Sequence, residues 1–213
     1  METHNTIDVS LDEAKEWFNS GNATLKEIAL KAFSKNELTY NFKDITTFKK
    51  ACETLGLNYD TMVFKAKEMS FVSKASAAMF KLNIVRKTLN LGQDLHLTKN
   101  PEGSYIYYPY NPFVTKSSTY YESDINSGKM EIIGTIKCEG EKYNVLGGYA
   151  SSDGLAGFGS FDFHNGTGYS SAHVGFLGCA NKEIAKHLGK YFGMLITEAK
   201  YGDIVDFEII SDY

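Results

Sequence analysis

Three side chains in the last third of this chain have the types that nucleophilic chemistry needs: Cys179, His173 and His164. A cysteine attacks as its thiolate, which a helix N-terminus or a neighbouring imidazole stabilises. Cys179 stands just ahead of a segment with helical periodicity that starts near Asn181, and both histidines are close to it in sequence. The competing reading is a small buried thiol at a strand-to-helix junction. Cysteine is among the most buried residue types, and the sequence favours that reading. His164, His173, His187 and Asp162 are metal-ligating types, but no HxH or HxxxH spacing joins them, so no metal site and no cofactor are expected. Gly154, Gly157 and Gly159 match a phosphate loop only in composition. No Lys-Ser/Thr pair follows them, and close backbone packing explains them better. Asp153, Asp162, Glu183 and Asp203 are not spaced for general acid/base work.

The candidate binding residues are aromatic. Tyr105, Tyr107, Tyr108 and Tyr110 cluster between the only prolines, with Tyr120 and Tyr121 following. Exposed tyrosines give contacts of low entropic cost to proteins, glycans or bases, whereas in strands they pack into cores. His164 and Asn165, in the HNGTG run, would add polar contacts at a turn. Lys67, Lys74 and Lys81 recur every seventh residue. The formal charge is −3 over residues 1–60, +5 over 61–91 and −6 over 92–213. Positive charge is thus confined to one segment, the only candidate for nucleic-acid contact, and a solvated helix face accounts for it more simply.

The elements that would hold these residues change character along the chain. Ser10 with Glu13 is a capping-box pattern, followed by Leu11, Ala14, Trp17 and Phe18 on one helical face and by Gly21 as a stop. Thr24 with Glu27 repeats the pattern, ahead of the stripe Leu25, Ile28, Ala29, Ala32 and Phe33. A third helix is expected from Thr47 to Gly56 with Cys52 in the core, and a fourth over 61–91 with Val72, Ala75, Met79, Leu82, Val85 and Leu89 inward. Beyond Gly92 the pattern becomes strand-like. Residues 130–138 and 142–149 read as a hairpin around Glu139-Gly140-Glu141, and residues 155–164 and 167–177 as another around Asn165-Gly166. A fifth helix over 181–201 carries Ile184, Leu188, Phe192, Leu195, Ile196 and Ala199, and a last strand covers 206–210. The fold class expected is α+β: a helical region at 1–91, then a β-rich domain at 92–213 whose antiparallel sheet is packed by the late helix.

Composition sets outer limits. With 43% hydrophobic and 14% aromatic residues, 213 residues can fill a core. No apolar run approaches the roughly 20 residues of a membrane span, and the first ten residues lack the basic and apolar regions of a secretory signal. Three cysteines without CxxC spacing argue for reduced thiols, and the sequons at Asn22 and Asn165 then have no role.

Three stretches, LDEAKEWFNSGNATLKEIALKAFS, MFKLNIVRKTLNLG and VGFLGCANKEIAKHLGKYFGMLITEAKYGD, together resemble a set of uncharacterised proteins carried by phages and prophages of gut Bacteroidales. The resemblance spans most of the chain and brings no activity to any residue. It implies a phage-encoded product, either a virion component or an accessory protein, made in the cytoplasm of the bacterial host and open to incorporation into the virion. In residues 154–178 the texture is also similar to the variable region of C-type-lectin-like phage receptor proteins, although the tryptophan expected before it is missing. The leading expectation is therefore a non-enzymatic protein acting through a protein partner or self-assembly. A glycan- or small-ligand-binding module using the tyrosines and the Gly-rich hairpin is the first alternative, and a small cysteine-dependent enzyme at Cys179 the second.

Overall fold

The computed structural model describes residues 9–91, 106–115, 118–138, 140–153 and 178–212. Among them are nine α-helices, mostly N-terminal, a four-stranded antiparallel sheet and a two-stranded antiparallel pair, so the protein is α+β. The chain divides into two compact units, Met1–Asn41 and Phe42–Tyr213.

The first unit holds α1 (Leu11–Asn19), α2 (Ala23–Ala32) and α3 (Lys35–Thr39). The capping box at Ser10 and Glu13 forms in both directions, at 3.2 and 3.0 Å, satisfying N–H groups the helix cannot pair itself. Gly21 turns the chain with φ +77°. The box expected at Thr24 and Glu27 does not form. Asn22 caps α2 instead, its Oδ1 accepting from the N–H groups of Thr24 and Leu25, while Glu27 pairs with Lys31 at 2.9 Å. A further box, Ser34 with Glu37, starts the short α3, which the periodicity had not marked. Ala14, Ala29 and Leu38 form the core here, flanked by Trp17, Phe18 and Phe33. The helices meet at alanines, so Ile28, expected inward, is exposed.

The second unit opens with a single 3₁₀ turn, Phe42–Asp44, then α4 (Phe48–Thr54), α5 (Tyr59–Ser70) and α6 (Lys74–Leu89). Thr47 caps α4, Cys52 is fully buried and Gly56 follows at φ +68°. The single helix expected over 61–91 is two helices, because Ser73 leaves helical geometry and accepts from Ser76 N–H at 2.8 Å, capping α6. Leu82, Val85 and Leu89 are buried as their spacing requires, but Val72 lies in the break and is 92% exposed. The seven-residue lysine spacing is also cut there, with Lys67 on α5 and Lys74 and Lys81 on α6.

Downstream come β1 (Ile106–Tyr110), β2 (Phe113–Thr115), α7 (Glu122–Asn126), β3 (Glu131–Cys138), β4 (Glu141–Gly147), β5 (Tyr149–Asp153), α8 (Lys182–Tyr191), α9 (Gly193–Tyr201) and β6 (Glu208–Asp212). The larger sheet runs β2-β4-β3-β6, and β1 pairs with β5. The first expected hairpin is present as β3 and β4. Its register sets Cys138 against Glu141, so the connection has two residues rather than three. The last strand joins β3 two residues later than expected. The second expected hairpin, at 155–177, lies outside the described residues, as does Gly92, where the pattern changes.

The helix expected over 181–201 breaks at Phe192 (φ −127°, ψ 13°), giving α8 and α9 different partners. α8 packs on β1 and β5, whereas α9 packs chiefly on α6. The helices α4–α6 thus belong to the same unit as the sheet. Ile133, Ile136 and Val145 form the sheet's core against Met194, Phe207 and Ile209.

Candidate functional site

One face of α8 differs from its buried side. Ile184, Ala185 and Leu188 point into the core, while Glu183, Lys186, His187, Lys190 and Tyr191, at helical spacing i, i+3, i+4, i+7 and i+8, line a cleft of about 320 Å³. Asn181 starts the helix by accepting from Ile184 N–H at 2.9 Å. Facing α8 across the cleft are Gly128 to Glu131, Gly147 and Gly148, and the aromatic and basic pair Phe42 and Lys43. Glycine at 147 is what lets α8 lie so close to the sheet. A Cβ there would stand 2.7 Å from the Gly189 carbonyl and 2.8 Å from Ile133 Cγ2. Asn111 fixes the same seam, its Nδ2 donating to the carbonyls of Leu146 and Gly189, both at 2.9 Å.

His187 is the pivot of the cleft. Its Nε2 lies 2.9 Å from the Ile45 carbonyl oxygen, and a carbonyl only accepts, so Nε2 carries the proton. Burial lowers the imidazole's pKa. The Ile45 hydrogen bond opposes that shift, and the charges of Lys190 and Lys43 add to it. The ring is therefore neutral at pH 7 and Nδ1 keeps a lone pair, to which no described residue donates. Phe42 meets the imidazole edge-on at 5.5 Å between centroids and Tyr191 lies at 4.5 Å, making a continuous aromatic wall. Lys190 pairs with Glu131 at 2.9 Å, Lys186 with Glu183 at 3.0 Å, and Lys129 with Asp124 at 3.0 Å. These pairs are half-exposed and hold their partners weakly. Of the four lysines along the lining, Lys186 and Lys190 are thus matched to its two glutamates and Lys129 to Asp124 outside it.

The residues singled out from the sequence lie elsewhere. Cys179 is fully buried, and burial pushes its thiol up to about 12 although Arg86 and a hydrogen bond with Asn90 act the other way. Its segment is tied to the end of α6, where Asn90 accepts from Ala180 N–H at 2.8 Å. The thiol lacks the depressed acidity of an activated nucleophile. His164, Asn165, His173 and Tyr105 lie outside the described residues. Tyr107 and Tyr108 sit on β1 opposite Ser152 and Ser151. Tyr110 bonds Tyr121 hydroxyl to hydroxyl at 2.8 Å and packs with Val114, Met130 and Leu146. Among the described residues no three His, Cys, Asp or Glu side chains gather as a metal site.

A second surface feature joins two turns distant in sequence. Asp203, just after α9, accepts from Ser73 Oγ at 2.5 Å and from Ala75 N–H at 3.2 Å, which brings the α5–α6 turn beside the turn leading to β6. The two turns carry Phe71, Val72, Ile204 and Val205, exposed by 75, 92, 47 and 96%. Beside them Met69, Met79, Phe80 and Ala199 line a groove of about 430 Å³. Soluble surfaces seldom gather apolar side chains in this way without a partner. Known protein families, curated proteins and solved structures contain no match to this chain.

Proposed function

We propose that this chain is a phage- or prophage-encoded, non-enzymatic protein that acts by association, pairing with a second copy of itself through the ledge formed by Phe71, Val72, Ile204 and Val205. The phage assignment rests on the resemblance of its three sequence stretches. The association rests on one observation, the convergence of four exposed apolar side chains on two clasped turns. The charges around the ledge favour a like partner over a strongly charged one. Lys74 flanks the first turn and Asp206 the second, while the Asp203 carboxylate is taken up within the chain by Ser73 and Ala75. In a two-fold pairing the basic turn of each copy faces the acidic turn of the other.

Sedimentation of the full chain tests this. The wild type is expected to sediment as a dimer and Val72→Asp/Val205→Asp as a monomer with an unchanged melting temperature, since neither side chain is buried. Lys74→Asp and Asp206→Lys should each weaken the dimer and together restore it. A wild type that stays monomeric at its solubility limit, or a dimer indifferent to the aspartates, refutes the proposal.

A further inference from the structure

The ledge and the groove beside it are two parts of one surface. The clasp residues Ser73 and Asp203 line the groove, whose apolar walls are Met69, Met79, Phe80 and Ala199, while the four apolar tips stand outside it. We propose that the groove is the seat for the second copy: Val72 and Val205 of each chain enter the groove of the other, about a two-fold axis at the clasp. This rests on the self-association proposed above and goes further by naming what receives the tips.

Shape carries the assignment. An isologous contact must suit itself, because what one copy offers at one position and accepts at another is repeated with the roles exchanged. Tip against tip would leave projecting side chains propping the copies apart, and such gaps forfeit the close contacts of a packed interface. Tip into groove fills two recesses of about 430 Å³ at once. Met69 and Met79 are unbranched and adjust to the outline of an aliphatic tip. Val72 and Val205 are the least covered of the four ledge residues and so gain most from a seat.

Charge and rigidity agree with a second copy as the occupant. Lys74 follows one tip and Asp206 the other, so exchanging the tips across a two-fold axis brings opposite charges together. An anionic lipid surface would instead meet Asp206 beside Val205 and be repelled. Tips and groove are also fixed before association. A Cβ on Gly202 would stand 2.5 Å from the Glu198 carbonyl oxygen and 3.2 Å from the Ala75 nitrogen, so glycine there lets the end of α9 lie against the start of α6, where the Asp203 clasp then holds it. A preset surface loses little freedom on binding.

Two measurements on the full chain test the seat. Asn83 lines the groove and is exposed, so Asn83→Trp fills the recess without touching the tips or the clasp. It should weaken the dimer by about tenfold or more in sedimentation with the melting temperature unchanged, whereas Asn83→Ala should dimerise as the wild type does. Dilute hydrogen peroxide followed by peptide mass spectrometry reads whether the groove is covered. Met69, 39% exposed in the single chain, should form its sulfoxide about tenfold more slowly in the wild-type dimer than in Val72→Asp/Val205→Asp. If the wild type dimerises but Asn83→Trp dimerises equally well, or Met69 oxidises at the monomer's rate, the tips do not enter the groove. The seat then falls while self-association through the ledge stands. A wild type that stays monomeric removes both.

Discussion

Replacing Asn111 by leucine removes the fastening between β4 and α8 while keeping the volume nearly constant. Asn111 is 4% exposed, and its Nδ2 donates to two backbone carbonyls, of Leu146 and Gly189, each at 2.9 Å. A buried carbonyl that loses its donor costs about 1–3 kcal/mol, so the two lost bonds cost about 2–6 kcal/mol, centred on about 4 kcal/mol. Burying the more apolar leucine returns about 1–2 kcal/mol, and the central values leave a net loss of about 2.5 kcal/mol against a domain stability of about 5–15 kcal/mol. Asn111→Asp should be worse, since a carboxylate would face two carbonyl oxygens with no donor to offer. The assay is urea unfolding followed by far-UV circular dichroism. Tryptophan fluorescence is the wrong probe, because Trp17, the only tryptophan, lies in the other unit. If both variants lie within about 0.5 kcal/mol of the wild type at an unchanged urea slope, the two bonds do not hold the seam.

Other outcomes are equally concrete. Gly147→Ala should destabilise by about 2–3 kcal/mol in the same assay, because the new Cβ meets the Gly189 carbonyl, which is backbone and cannot swing away. His187 is harder to protonate folded than unfolded, so the unfolded chain binds more protons once the pH falls below about 6.5. Its contribution to stability is full above that value and is lost as the pH falls through the lowered folded pKa. The wild type should therefore lose more urea resistance than His187→Gln between pH ~7.5 and ~5.5, and equal losses would contradict it. Under native conditions a thiol reagent should modify Cys138 first, since it is half-buried while Cys52 and Cys179 are fully buried. All three should react in denaturant, and fast native labelling of Cys179 would overturn its assignment as an inert core thiol.

Much of the fold could be read from local signals, because those signals are themselves local physics. The Ser10–Glu13 box, the Thr47 cap and the stops at Gly21 and Gly56 depend only on near neighbours and stand where the residue types put them. Two helices expected to be continuous are broken in the structure. At Ser73 and Phe192 the apolar spacing continues across the break, and only the different packing partners of the flanking helices show it. Asn22 took the cap expected at Thr24 because its side chain reached two N–H groups at once. The α8 cleft was legible in part. The stripe Glu183, Lys186, His187, Lys190 and Tyr191 has the same spacing as an apolar face, but its mixed charged types match an ordinary solvated helix face equally well. Phe42, Ile45 and Glu131, far away in sequence, complete the cleft and leave no local trace.

The clasp at Asp203 bears on the order in which a ribosome can complete the protein. The hydrogen bonds of the first unit described above span only a few residues, so its helices can set as they emerge. In the second unit α6 waits for a carboxylate 130 residues downstream, and the Ile45 carbonyl waits for an imidazole 142 residues later. The edge of β3 stays open until residues 208–212 arrive. Closing such long loops carries an entropic cost that local contacts do not offset, and the unpaired edge and uncovered helix faces remain sticky in the meantime. During synthesis this unit therefore passes through a long interval with a strand edge and apolar helix faces still uncovered.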